Sequence, residues 1–177
     1  MRFVITGEWR RNSLLQIIVL LYSLYVMALW VTNALLYFQK MGLTAASVLE
    51  YYLGNEEKFL APRSFQGLLE LSHFHLFAMG MLLLVLTHLM LFVPLRKRTK
   101  AWLIVLPFLS ALLDEGAGWL VRFAHPAFAY LKIAGFLLLQ GSLASLVALS
   151  LWAVFGGSKE NYNTGEGELG FEEPEVE

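Results

Sequence analysis

The sequence predicts an all-α integral membrane protein, built as a four-helix up-and-down bundle. Of its 177 residues, 58% are hydrophobic and 15% are charged, whereas a soluble domain has about 45–50% apolar and about 25% charged residues. Four apolar stretches are each long enough to cross about 30 Å of hydrocarbon. Short connections between the later stretches favour antiparallel neighbours, as in an up-and-down bundle.

We expect the spans at about 13–38, 65–94, 101–123 and 127–155, within one transmembrane domain of residues 1–157. Between the first two spans, Thr44 is a good N-cap for a short helix over 45–53, and Gly54 is a good terminator. The aromatic and apolar side of that helix suits the membrane interface. Residues 158–177 form an acidic tail, for which low hydrophobicity and like charge predict disorder.

Positive charge near the span ends predicts the orientation. The basic residues concentrate on the side that holds both termini and the loop between the second and third spans, so the positive-inside rule places both termini in the cytoplasm. We expect a multi-pass protein of a bacterial inner membrane, with membrane lipids and no nucleic acid as partners. The residues on that side are Arg2, Arg10, Arg11, Arg96, Lys97, Arg98, Lys100 and Lys159.

The second span carries three of the four histidines and one carboxylate. Ionisable groups within a membrane are costly, so they indicate a functional site. At about 100° per residue, Glu70 and His88 lie within about 60° of His73, with Gly80 close by, while His75 points about 200° away. His73 and His88 are roughly 22 Å apart along the axis, so they cannot bind one metal ion together.

A second group of polar residues is expected at the outer end of the bundle. Asp114 and Glu115 lie in the outer half of the third span, and His125 lies just beyond its end. An antiparallel arrangement would bring them to the depth of Glu70 and His73. The sequence therefore predicts one polar site in the outer half, joined by Lys132, and leaves His88 alone in the inner half.

The first interpretation of this site is haem b, which needs two axial ligands from facing helices and small residues beside the ring. His73 with Gly80 suits one side, and His125 is the natural opposite ligand. His75 is the fallback ligand if the helix is rotated. His88 could bind a second haem only if another ligand came from elsewhere. Absence of cysteine excludes Fe–S clusters and covalent haem attachment. We therefore expect a membrane redox subunit that holds haem b in the outer leaflet.

Such a subunit would pass electrons between a partner complex and the quinone pool, and it would be an electron-transfer subunit rather than a self-contained enzyme. In a quinone or proton site, Glu70, Asp114 and Glu115 are the candidate proton carriers. The partner would be a larger membrane complex or further copies of the chain.

Two alternatives remain open. Glu70-x-x-His73 is the carboxylate–histidine pair of diiron bundles, so a non-haem metal site is one alternative, with His73, His125 and His88 as candidate ligands. The other is a non-redox assembly subunit, in which Asp114 or Glu115 neutralises Arg122 or Lys132.

Several segments resemble a known group of proteins. They are Tyr51-Tyr52-Leu53-Gly54, the run from Ser64 through Glu70-Leu-Ser-His73-Phe-His75, then His88, and Trp119-Leu-Val-Arg122. Together they are similar to small bacterial four-span inner-membrane proteins of poorly defined function, which share a Glu-x-x-His-x-His motif on the second span. The resemblance implies the four-span architecture and a role for the motif.

Overall fold

A computed structural model describes residues 13–156, which form five helices and confirm the all-α class. The predicted acidic tail, 158–177, and the basic segment before Ser13 lie outside the described residues. The helices are α1 (Ser13–Lys40), α2 (Ala45–Leu53), α3 (Phe65–Met90), α4 (Lys97–Phe123) and α5 (Ala129–Leu151). A 3-10 turn, Pro126–Phe128, precedes α5, and a π-helical turn, Trp152–Gly156, follows it.

Four helical segments are long and apolar enough to cross a membrane: Ser13–Lys40, Phe65–Met90, Lys97–Phe123 and Pro126–Phe155. Their outward faces expose many large apolar side chains. A monomeric soluble protein rarely exposes contiguous apolar surface of this extent, so these faces contact lipid. The protein is therefore a multi-pass membrane protein.

The helix ends follow local sequence signals. Thr44 Oγ1 accepts a hydrogen bond from Ser47 N, which confirms the predicted N-cap of α2, and Ser64 Oγ caps α3 in the same way by accepting one from Gly67 N. Gly54 ends α2 with φ 83°, a conformation that favours glycine. Helix α3 ends at Met90, before Pro94, because a residue that precedes proline disfavours the helical conformation.

The bundle is arranged around α4 and α5, which pack against each other most extensively. Helix α3 packs mainly on α4, α1 packs mainly on α5, and α2 lies across both α4 and α5. We call the end of the bundle that carries α2 the α2 end, and the opposite end, which carries residues 91–96, the basic-loop end.

Two apolar clusters fill the interior. The cluster at the α2 end contains Tyr37, Met41, Val48, Tyr52, Leu68, Val121, Ala129 and Phe136. The cluster toward the basic-loop end contains Val26, Leu83, Leu86, Met90, Val93, Leu139, Leu143, Leu146, Val147 and Ala153. Along α3, the polar side chains of Ser72 and His75 occur between Leu68 of the first cluster and Leu83 of the second.

Candidate functional site

A chain of hydrogen bonds joins α3 to α4 in the interior. Trp119 Nε1 donates to Ser72 Oγ at 2.8 Å, and the Ser72 hydroxyl donates to Glu115 Oε1. The second carboxylate oxygen, Oε2, lies 3.2 Å from His75 Nδ1. Both oxygens of Glu115 are therefore occupied, which fixes the carboxylate between the serine and the imidazole. We call these four residues the Glu115 network.

The Glu115 network favours one orientation of the imidazole. An ionised carboxylate only accepts hydrogen bonds, so a hydrogen bond between the two side chains requires a proton on His75 Nδ1. The other ring nitrogen, Nε2, is then the one that faces away from Glu115. Half of the His75 side chain, 49%, is exposed, so Nε2 can be reached by a ligand.

A second ionic contact joins α4 to α5. Lys132 Nζ lies 2.8 Å from Asp114 Oδ1 and donates to the main-chain carbonyl of Asp114 at 2.9 Å. The side chains are 9% and 18% exposed, respectively. A buried ammonium is costly without a partner, so this pair neutralises charge within the bundle. The pairing of Asp114 with Lys132 was one of the sequence-based expectations, and the structure confirms it.

Two glycines, Gly118 of α4 and Gly135 of α5, let the helices approach each other around this ion pair. A Cβ built at Gly118 would lie 2.7 Å from the hydroxyl oxygen of Tyr52, so α2 rests directly on α4. The Tyr52 side chain is buried, and burial together with the negative charge of Asp114 raises the pKa of its hydroxyl above the ordinary value. Tyr52 therefore remains a neutral phenol beside the ion pair.

A cavity of about 190 Å³ opens beside the Glu115 network. Its walls are mainly apolar and come from α1, α3, α4 and α5. The polar side chains that line it are His75, Asp114, Glu115, Asn33 and Trp30. This arrangement of an apolar cavity with a few converging polar groups is typical of a binding site for a small molecule.

Trp30, which lines this cavity, carries a donor without a partner among the described residues. Its Nε1 is buried, and among residues 13–156 no acceptor is found for it. A buried donor without an acceptor costs about 1–3 kcal/mol. A ligand with a carbonyl oxygen would satisfy this N–H, whereas an alkyl chain would not.

The structure separates the histidines that the sequence placed in one site. His73 and Glu70 were expected beside Asp114 and Glu115, but both are exposed on the outer surface of α3. Glu70 Oε1 accepts a hydrogen bond from Gln66 Nε2 at 2.9 Å. His75, which the sequence analysis kept as the alternative for a rotated helix, is the histidine that reaches Glu115.

The remaining two histidines also lie away from the cavity. His125 is exposed and caps the 3-10 turn, where its Nδ1 accepts a hydrogen bond from Ala127 N at 3.1 Å. His88 is exposed near the basic-loop end of α3, with its ring edge-on to Phe92. Gly80, which was expected beside His73 at a haem, lines the cavity together with His75 instead.

Metal binding by one chain finds no support in this geometry. Within the described range, no three histidine, aspartate or glutamate side chains converge closely enough to hold one metal ion. His75 is the one imidazole among residues 13–156 that lines the cavity, so a haem there would need its second axial ligand from outside this set. Haem b stays a prediction.

Several residues of the site were not predicted. Ser72, Trp119, Trp30 and Gly135 were treated as packing residues or not considered. The spacing of Ser72, His75 and Met79 along one face was the available signal, but the opposite face of α3 carries Glu70, His73 and His88, and these ionisable residues directed the prediction to that face. Hydrophobic periodicity alone could not orient this helix.

The fold and the cavity define a helical multi-pass membrane protein with a polar site enclosed among its spans. The chain belongs to the Aq_1264_TM family, described as a transmembrane helical domain, whose model matches residues 42–161. No curated protein and no solved structure matches the chain. The match covers α2 to α5, so it contains the Glu115 network and the Asp114–Lys132 pair, whereas α1 precedes it.

Proposed function

We propose that this protein binds the head group of a membrane quinone in the cavity and exchanges protons with it as part of a redox complex. The observation that carries the proposal is the pairing of His75 with Glu115 at an apolar cavity that opens among the spans. A histidine held by a carboxylate is a common proton-transfer group. Because the cavity lies within the bilayer, we expect its ligand to be a molecule that dissolves in lipid.

The size of the cavity supports this ligand class. Pockets that enclose a whole drug-sized ligand measure about 300–1,000 Å³, and this cavity measures about 190 Å³. It therefore suits a single substituted ring, with an isoprenoid tail left among the lipid chains. A haem macrocycle is considerably larger and would require the helices to separate.

The polar groups match the two carbonyls of a quinone. Trp30 Nε1–H donates to one carbonyl oxygen, and the imidazole of His75 faces the other. Full reduction of a quinone consumes two electrons and two protons. The His75 imidazolium, stabilised by Glu115, delivers one proton from Nε2, and the neutral ring then takes up the second proton at Nε2 from water and delivers it in turn. Ser72 and Trp119 are positioning residues, because they act through Glu115.

The electrons come from a redox partner, either another subunit or a haem b held with a ligand from outside this chain. The charge distribution supports a bacterial inner-membrane location with both termini in the cytoplasm. The cavity lies near the middle of the spans, where Met79 of α3 and Ala111 of α4 line it. The resemblance to small proteins with a Glu-x-x-His-x-His motif is part of the same proposal, with the last residue of that motif, His75, as the functional one.

Binding of decyl-ubiquinone and a short-chain menaquinone to the purified protein in nanodiscs tests the proposal. We expect saturable binding that falls at least tenfold in His75→Ala and in Glu115→Gln. His73→Ala and His125→Ala are matched controls, because these histidines lie outside the cavity, and they should bind as the wild type does. Absence of saturable binding, or equal losses in all four variants, would refute the quinone proposal and favour the assembly role.

A further inference from the structure

One outer face of α3 carries polar residues where lipid would be expected. Gln66, Glu70, His73, Phe77, Leu84 and His88 are all exposed, and they follow one another at intervals of four, three, four, seven and four residues. This is the spacing of a seam between two parallel helices that pack in coiled-coil fashion. We call this set the α3 seam.

The α3 seam is costly against hydrocarbon. Glu70 and His73 lie about five and eight residues inside α3, which is roughly 8–12 Å from its first residue. Ionisable residues in membrane spans almost always face protein or water. Within residues 13–156, Gln66 is the hydrogen-bond partner of Glu70, and it lies on the same exposed face. The α3 seam therefore calls for a covering surface of matching polarity.

A second copy of the same chain provides that surface. A twofold axis along the membrane normal places the two seams side by side at equal depth, as in an isologous interface. The Glu70 carboxylate of one copy then lies near the His73 imidazole of the other, so acceptor and donor complement each other. Phe77, which is 74% exposed, would pack against its counterpart just below.

We propose that two copies of the chain dimerise through the α3 seam and bind one divalent transition-metal ion between them. The ligands are the two Glu70 carboxylates and the two His73 imidazoles. This set of two oxygen and two nitrogen donors suits zinc or iron(II). It also duplicates the Glu-x-x-His element of metal-binding bundles. The site is incomplete in one chain, which agrees with the lack of any three-residue ligand group among the described residues.

This site is separate from the quinone cavity, since His73 and His75 point to opposite sides of α3. The outcome of a test of this metal site therefore does not decide whether the cavity binds a quinone. The α3 seam holds the two subunits together, and the metal ion fixes the register between the two copies of α3.

Cysteine cross-linking tests the dimer directly, because the chain contains no cysteine. Phe77→Cys should form an intermolecular disulfide in nanodiscs or native membranes under mild oxidation, since seam positions bring two Cα atoms to about 6 Å. Leu137→Cys on the exposed face of α5 is the matched control and should remain monomeric. Equal cross-linking of both variants, or none at Phe77→Cys, would overturn the α3 interface.

Cobalt(II) titration tests the metal, with the visible absorption of the bound ion as the readout. We expect one Co²⁺ per two chains, displaced by Zn²⁺, and a loss of affinity of at least tenfold in His73→Gln and in Glu70→Gln. His125→Gln is the control, because His125 lies outside the α3 seam, and it should bind normally. A stoichiometry of one ion per chain, a dimer that binds no Co²⁺, or binding unaffected by His73→Gln would each overturn the proposed site.

Discussion

Gly135 of α5 rests directly on the backbone of Asp114 in α4. A Cβ built at Gly135 would lie 2.9 Å from both the Cα and the amide nitrogen of Asp114, a distance that real Cβ atoms do not adopt without movement of a neighbour. Lys132 lies one turn earlier on the same helix and reaches the Asp114 side chain from there. The absence of a side chain at Gly135 thus sets the separation of the two helices at the ion pair.

Replacement of Gly135 by alanine should therefore force α4 and α5 apart. We expect the free energy of unfolding to fall by about 1–3 kcal/mol, the usual cost of added volume in a packed interior. Thermal unfolding in detergent measures it. Gly80→Ala is the matched control, because none of the described residues comes within 4 Å of a Cβ built there. Equal stability of the two variants would contradict this role for Gly135.

Asp114→Asn should be strongly destabilising because it leaves Lys132 buried with an uncompensated charge. We expect a loss of about 3–5 kcal/mol, the usual range for breaking a buried pair from one side. The double variant Asp114→Asn with Lys132→Met should recover most of that loss. Glu50→Gln, which breaks the exposed pair with Lys58, should cost less than about 1 kcal/mol. If the double variant were no more stable than Asp114→Asn, the uncompensated charge would not be the cause.

Ser72→Ala should weaken the contact between α3 and α4. The change leaves the Trp119 N–H without its acceptor and removes one donor from Glu115, so we expect a cost of about 1–3 kcal/mol. The same variant should lower quinone affinity, because His75 depends on the position of Glu115. Ser145→Ala is the control, since that exposed hydroxyl donates only within its own helix, to Gly141 O. Unchanged stability and affinity in Ser72→Ala would argue against the Glu115 network.

Gly80→Leu should fill the cavity without disturbing the helices. We expect quinone binding to fall at least tenfold while thermal unfolding stays within about 1 kcal/mol of the wild type, because the new side chain enters open space. Gly141→Leu provides the comparison, since Gly141 has the same freedom but lies in a groove on the far side of α5. Normal binding by Gly80→Leu would mean that the ligand occupies another place.

Alkaline pH should destabilise the fold through Tyr52. Its pKa is raised in the folded protein, so the neutral phenol is favoured there, and stability is unaffected below the ordinary tyrosine pKa of about 10. Above that pH the unfolded chain ionises first, and the free energy of unfolding falls. The Tyr52→Phe variant should show a smaller fall between about pH 10 and 12 when unfolding is measured by circular dichroism. An identical fall in the variant would contradict the assignment to Tyr52.

The sequence predicted more of the fold than of the site. Helix boundaries follow from caps and breakers such as Thr44, Ser64 and Gly54, which act locally. The rotation of α3 about its own axis depends on which neighbour covers each of its sides. Apolar residues are favoured both against lipid and in the protein interior, so they do not distinguish the two. The sequence therefore favoured His73 for the site, whereas the structure places His75 there. The contacts of Trp119 and Gly135 depend on helix separation, which no local pattern encodes.

Helix α1 stands apart from the family-matched range, which begins at residue 42. It packs chiefly on α5, and its Tyr22 hydroxyl donates to Leu82 O of α3 at 3.3 Å. Yet it contributes Trp30 and Asn33 to the cavity wall. In the proposed function, the proton-transfer pair and the recognition of a carbonyl would thus reside in separable parts of the molecule. Substitutions in α1 would then change which head group is accepted, or how it enters sideways from the lipid, while the proposed chemistry at His75 and Glu115 is preserved.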